Sequence, residues 1–338
     1  MRITIKQISE IAGVHRSTVD KVIHNRPGVS DEVRAKIQKI IEETGYKPNV
    51  IGVALKLQEH PKTVSICLLN VDSYEEQKRS LENSIQENSM GSIKVETYAT
   101  NYDVDEQYNL VHTLIKKHVD GIIMMPIQDE KIISIVNKAF DAGIPVAFIS
   151  ADLPNAKRFF FAGQNSFKAG RTAGFIMASI LQNKGDIAVI TGSDILNTDR
   201  YRTNGFFEYM NSVPDIHIIK SLQTHEDKLI IFKETYRLLQ EHPGLQGLYI
   251  TCGGVSEVCK AVKGANLSGK INVICFDLYE NNIKNLKDGV ITFLIGQNIN
   301  AQGSACGKAM CDYLLLNKLP ASHIEYTSID IRTIENID

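Results

Sequence analysis

Between Thr4 and Gly45 apolar residues recur three times at helical spacing, each time between its own start and stop signals. Thr4-Ile5-Lys6-Gln7 predicts a capping box, with Ile3 and Ile8 stapled across it. Ile5, Ile8, Ile11 and Ala12 form the inward stripe, and Gly13 supplies the left-handed residue that ends the helix. After Val14, the stretch Arg16 to His24 turns Val19, Val22 and Ile23 inward and Arg16, Ser17, Asp20, Lys21 and His24 outward. Beyond Pro27-Gly28, Ser30 caps a third helix with Val33, Ile37, Ile40 and Ile41 inward and Gly45 at its end. Helix, tight glycine turn, helix is the helix-turn-helix arrangement, whose second helix reads the major groove of DNA.

From Val64 the pattern changes to short β-rich runs alternating with amphipathic stretches. Predicted strands are 64–70, 94–99, 121–125, 146–150, 187–191, 216–222, 247–251, 273–277 and 291–295, with a last strand-like run at 325–331. Helical patterns fill 75–88, 106–117, 167–181 and 299–316, and Phe159-Phe160-Phe161 reads mostly as strand core. Such alternation predicts an α/β body of parallel sheets covered by helices on both faces. The strands exceed one ordinary sheet, so two similar lobes joined by crossovers are expected. Ligands in such sheets bind beyond the carboxyl ends of the strands. No sequence repeat or low-complexity stretch is evident. The expected division is a head at 1–47, a linker at 48–61 and a two-lobed domain at 62–338. The segment Pro48 to Leu57 is shorter than the ~12 residues at which an isolated helix becomes marginal, and Gly52 weakens it further.

Charge separates the head from the body. Residues 1–60 hold 10 Lys and Arg against 7 Asp and Glu, while the remainder holds 27 against 32, so only the head is suited to approach phosphate. Lys6, Gln7, Ser9 and Glu10 interrupt any secretory h-region, and no apolar run has the ~18 residues of a membrane span. A cytoplasmic location without membrane contact is expected. The six cysteines lack C-x-x-C spacing and read as reduced core residues, with no metal and no cofactor expected.

Thr4-Ile5-Lys6-Gln7-Ile8, Ala12-Gly13-Val14, Thr18-Val19 and Gly45-Tyr46-Lys47-Pro48-Asn49, in that order, strongly resemble the LacI family of bacterial transcription regulators. The body resembles that family's effector domain, itself similar to type I periplasmic sugar-binding proteins of the ribose kind. The resemblance spans nearly the whole chain. It implies a homodimer on double-stranded operator DNA, with Thr4, Arg16, Ser17, Thr18, Asp20, Lys21, Asn25 and Asn49 at the DNA. Arg16, Ser17 and Lys21 fall at base-contacting positions and Asn25 at a phosphate. Leu55 falls where the family inserts a minor-groove wedge, with Lys56 beside it. Two departures stand out: Asp20 and His15 replace the usual serines, and Asp20 could accept from cytosine N4 or repel phosphate. The hinge carries Gly52-Val53 in place of Ala-Arg and is expected to order only on DNA and in a dimer.

Sugars require planar bidentate groups and an apolar or aromatic wall. Candidate effector residues at strand ends are Asn70, Tyr74, Asp152, Arg200, Asp277 and Gln297. The ribose-type pattern Arg-x-Arg-x-x-Gly-Phe appears at 200–206 and Phe-Asp at 276–277, with the later Gln at 297. Where the pattern usually has Asn-Asp, this chain has Cys252-Gly253-Gly254. Without tryptophan, stacking falls to Tyr or Phe. The resemblance therefore implies a repressor answering to a small carbohydrate-like effector. A cytosolic solute receptor is the alternative, and an α/β enzyme a weaker one. Gly303 to Ala309 imitates a P-loop but is one residue short between its glycines and lacks the Ser or Thr for magnesium; G-x-S-x-G and H-E-x-x-H do not occur.

Overall fold

The computed structural model describes residues 3–23, 28–46, 61–192, 196–224 and 227–337. Asn25, Asn49, Leu55, Lys56 and nearly all of the expected hinge lie outside these residues.

The head holds α1 (Ile5–Ala12), α2 (Arg16–Ile23) and α3 (Asp31–Thr44). The capping box forms: Gln7 N donates to Thr4 Oγ1 at 3.3 Å, and Thr4 N donates to Gln7 Oε1 at 2.9 Å. Gly13 and Gly45 end α1 and α3 with φ of 68° and 60°. The second helix starts on a histidine, since Ser17 N donates to His15 Nδ1 at 3.3 Å. This ring nitrogen takes over what a serine hydroxyl does in most N-caps. Ile8, Ala12, Val19, Val22, Ile37 and Ile40 make the core. Ile11, expected inward, is 56% exposed, and Ser9 is buried instead. On so short a helix the two neighbouring helices cover a narrower sector than the apolar stripe occupies.

The body begins with β1 (Lys62–Leu69), α4 (Tyr74–Ser89), β2 (Ile93–Thr100), α5 (Val104–Lys116), β3 (Gly121–Met124), α6 (Glu130–Asp141), β4 (Val146–Ile149) and β5 (Phe160–Gln164). It continues with α7 (Ser166–Ile180), β6 (Gly185–Thr191), α8 (Asn197–Met210), β7 (Ile216–Gln223), α9 (Lys228–Glu241), β8 (Gly247–Ile250) and α10 (Val255–Gly264). The remainder is β9 (Asn272–Phe276), α11 (Glu280–Lys287), β10 (Phe293–Gly296), α12 (Ile299–Leu316), β11 (Ile324–Thr327) and β12 (Asp330–Arg332). The sheets run β11-β5-β4-β3-β1-β2 and β12-β10-β9-β8-β6-β7, so the two lobes repeat one strand order without a sequence repeat. Pairing is parallel except between β10 and β12. Helices on both faces explain why the central strands β3, β4 and β8 are buried throughout and lack alternation.

One expected strand divides. The run 325–331 is β11 of the first sheet and β12 of the second, separated by Ser328 and Ile329, because the chain changes lobe there. The P-loop imitation lies inside α12. Its Gly303 and Gly307 face α4, where an added Cβ would stand 2.1 Å from Ser80 Oγ and 2.6 Å from Ser84 Oγ. Ser80 and Ser84 donate across this contact to Asn300 O and Ser304 O at 3.0 and 2.9 Å. The six cysteines are buried and outside any disulfide among the described residues, and burial pushes the Cys67 thiol up to about 12. Among the described residues no helix is long and apolar enough to cross a membrane.

Candidate functional site

The exposed face of the head carries the predicted side chains. Thr4, Arg16, Ser17 and Lys21 are exposed, and Thr18 and Asp20 are half-buried. Tyr46 closes the third helix against this face. Burial and the nearby Asp20 carboxylate push its phenol up, opposed by the Arg16 guanidinium. Asp20 thus lies toward Tyr46, and Ser17 Oγ is 2.8 Å from His15 Nδ1. Arg16 and Lys21 remain the extended cationic donors of the face.

In the body, strand ends from both lobes converge. Asp277, just past β9, has φ of 74°, and its carboxylate accepts a hydrogen bond from Gln297 Nε2. Its main-chain carbonyl accepts from Asn282 Nδ2 at 3.0 Å. Ser150 holds the corresponding place after β4 of the first lobe, with φ of 62°, and donates to Gln302 Oε1 at 2.6 Å. Cross-lobe bonds run from Asn197 Nδ2 to Asp152 O at 3.0 Å and to Gln128 Oε1, and Tyr279 shares a hydrogen bond with Ser73.

The two arginines of the 200–206 pattern part company. Arg200 is exposed and donates to Asn197 Oδ1 at 2.7 Å. Arg202 is only 4% exposed; it donates from Nη1 to Thr251 O at 3.0 Å, and its guanidinium sits 3.8 Å from the Phe276 ring centroid. Its Nε and Nη2, and the Thr251 hydroxyl beside it, are buried without a hydrogen-bond partner among the described residues. A signal for Arg202 was present in the sequence, since 202, 205 and 206 share one helical face and Phe206 is an evident core residue.

Of the predicted effector residues, Asp277 and Gln297 come together. Asp277 borders a cavity of about 570 Å³ with Phe276, Cys252, Gly253 and, from the first lobe, Asp72. Asp152 lines a separate cavity of about 400 Å³ and pairs with Arg158 at 2.6 Å. Desolvation raises its pKa against the opposing pull of that guanidinium. Asn70 is exposed, and Tyr74 is half-buried at the start of α4; neither lines these cavities. Tyr279, Arg202 and Thr251 were not anticipated. Among the described residues no cluster of His, Cys, Asp or Glu could hold a metal ion.

A cationic three-helix head joined to a two-lobed α/β body with a polar interlobe cleft defines a bimodular class, a helix-turn-helix unit fused to a binding-protein domain. The chain belongs to the periplasmic binding protein domain family, whose model matches residues 66–318, and its head matches that of the bacterial regulatory proteins of the lacI family at 4–49. It is 32% identical to the HTH-type transcriptional regulator DegA of Bacillus subtilis over 46% of this chain and 45% of that one. It is also 32% identical to the ribose operon repressor of Haemophilus influenzae, over 36% of each. The chain spans about half the length, or less, of these curated relatives. A solved solute-binding protein of an ABC transporter from Burkholderia graminis, in complex with D-arabinose, superposes with a TM-score of 0.75 at 23% identity, over 81% of this chain and 96% of that one. At that identity the likeness speaks for the fold.

Proposed function

We propose that this protein is a cytoplasmic, homodimeric transcription regulator, a repressor, whose grip on operator DNA is set by a small carbohydrate-like effector held between its lobes. One observation carries the reading: a single chain joins a helix-turn-helix face bearing Arg16, Ser17 and Lys21 to an interlobe cleft lined by Phe276 and Asp277, with the buried Arg202 and its unused donors stacked on Phe276. Arg or Lys on that helix can donate to guanine O6 and N7, and Ser17 can serve several bases. Thr4, Thr18 and Asp20 flank them, with Asn25 and Asn49 assigned to the backbone and Leu55 and Lys56 to the minor groove. The ribose operon repressor among the relatives agrees with a sugar signal.

Asp277 offers the cleft an acceptor and Gln297 holds it in place, Phe276 supplies part of the wall, and the Arg202 guanidinium stacked on Phe276 is a donor fork within reach of a ligand that parts the two. These suit vicinal hydroxyls and a bare C–H face. Arg202 replaces Arg200 in this proposal, because Arg200 is exposed and its guanidinium is engaged with Asn197. Binding would favour the lobe arrangement in which both walls touch the ligand, and would regulate only through its differential affinity for the two arrangements. Catalysis is not part of this reading; the family brings binding rather than chemistry.

A mobility-shift assay on a short pseudo-palindrome, with and without candidate pentoses and hexoses, tests the proposal. A shift altered by one sugar is the expected outcome. A chain that leaves every such duplex unshifted while still binding sugar would instead be a solute receptor.

A further inference from the structure

The second cavity, of about 400 Å³, does not belong to the Arg202–Asp277 cleft, and none of its lining residues borders the larger cavity. It lies where the chain passes between lobes. Gln164, at the end of β5, donates through Nε2 to Gly296 O at 2.8 Å and Ser328 O at 3.4 Å, tying the three crossovers together. One wall is apolar: Phe161 and Tyr326 meet edge to face at 6.3 Å, with Ile324 and Tyr201 beside them. The other end is polar and unusually unsatisfied. Asp152 Oδ1, Gln164 Oε1, Arg158 Nε and Thr198 Oγ1 are all buried without hydrogen-bond partners among the described residues, though each residue lines this cavity. Gln164 and Thr198 are 3% and 8% exposed, so an occupant reaches these atoms once their side chains turn toward the cavity. Buried polar groups left unpaired are costly, a standing incentive for a ligand that supplies the missing partners.

We propose that this cavity is a second small-molecule site, for a neutral molecule combining a flat ring with a hydroxyl-bearing ring, of the nucleoside or aryl glycoside kind. The flat ring lies against Phe161 and Tyr326, a contact aromatic faces favour. Hydroxyl or amino hydrogens donate to Asp152 and Gln164, and an acceptor meets Arg158 Nε. Asp152 and Arg158 cancel in charge, so the ligand groups that meet this pair need carry none, while Lys168 adds a cation to the lining. The first lobe supplies Asp152, Arg158, Phe161 and Tyr326, and the second supplies Thr198 and Tyr201. The occupant therefore favours the lobe arrangement in which both sets meet, and is thermodynamically linked to any ligand of the cleft.

Calorimetric titration of the full chain with adenosine and, separately, with p-nitrophenyl β-D-glucopyranoside tests this and separates the two sources. At least one probe binds at a single site, and Tyr326→Ala, at an exposed position, weakens it tenfold or more, as does Thr198→Val. A co-crystal places the probe's flat ring on Tyr326. Failure of both probes to bind at millimolar concentration overturns the proposal. So does binding indifferent to Tyr326→Ala, or a probe found between Arg202 and Asp277.

Discussion

The guanidinium of Arg202 lies over the ring of Phe276, 3.8 Å from its centroid, so one residue of α8 and the last residue of β9 form a single stacked surface, the one proposed to meet the effector. Each charge-assisted hydrogen bond that surface gives a ligand is worth roughly 1.5–3 kcal/mol. Arg202→Met, which keeps the stem and drops the donors, should lower effector affinity by roughly tenfold to a hundredfold. Lys should not rescue it, because an ammonium lacks the planar fork. Thermal-shift titration with the sugar that responds in the mobility-shift assay gives the readout; undiminished stabilisation of the Met variant would remove Arg202 from the site.

The platform under Arg202 is two glycines. An added Cβ at Gly170 of α7 would stand 2.0 Å from Arg202 O, and one at Gly205 would stand 2.1 Å from Phe167 O. Backbone sits against backbone there, so no side chain can yield. Gly170→Ala should destabilise by about 1–3 kcal/mol and push Arg202 out of register. Urea melts and effector affinity should both suffer, whereas Ala at Gly244, where nothing lies within 4 Å, should leave both nearly unchanged.

Removing the Lys21 ammonium should cost about 1–3 kcal/mol of operator affinity, blur base preference, and reduce the salt slope of binding by about 1 if a phosphate contact is what is lost. Asp277→Ala should abolish the sugar response instead. Identical behaviour of the two variants in mobility-shift titrations would refute this division of labour.

Asp152 provides a pH dependence of known sign. Burial raises its pKa in the folded chain above the ordinary 3.8, so the native state takes up a proton before the unfolded chain does. Between 3.8 and the raised value the native state binds more protons, and Asp152's contribution to stability grows as pH falls through that window. Asp152→Asn should remove this component, which denaturant titrations across the window would detect as a change of slope.

Local signals were the legible ones. The Thr4–Gln7 box and the glycines at 13 and 45 depend on neighbours within a turn or so, and each forms as the sequence implies. The central strands β3, β4 and β8 were legible because both-face burial leaves continuous apolar runs. What was hidden depended on distant packing. Ile11 fits the stripe, yet it is left exposed by the helices among the described residues. Arg200 and Arg202 look equivalent in a motif, but contact between α7 and α8 decides which turns inward. The 325–331 run reads as one strand because nothing local marks the change of lobe. Asp152 and Asp277 both follow strands, yet they line different cavities because the loop after β4 carries Asp152 to Arg158.

The late return of the chain has a consequence for biosynthesis. The first lobe opens at Lys62, but its helix α12 and edge strand β11 arrive only with residues 299–327, after nearly all of the second lobe has been made. On the ribosome the earlier sheet must wait, one edge bare and the groove over α4 unfilled, until residue 327 has been made. Nonsense or frameshift lesions between residues 299 and 327 should therefore yield insoluble product rather than a working fragment, and chaperone dependence should concentrate in that interval.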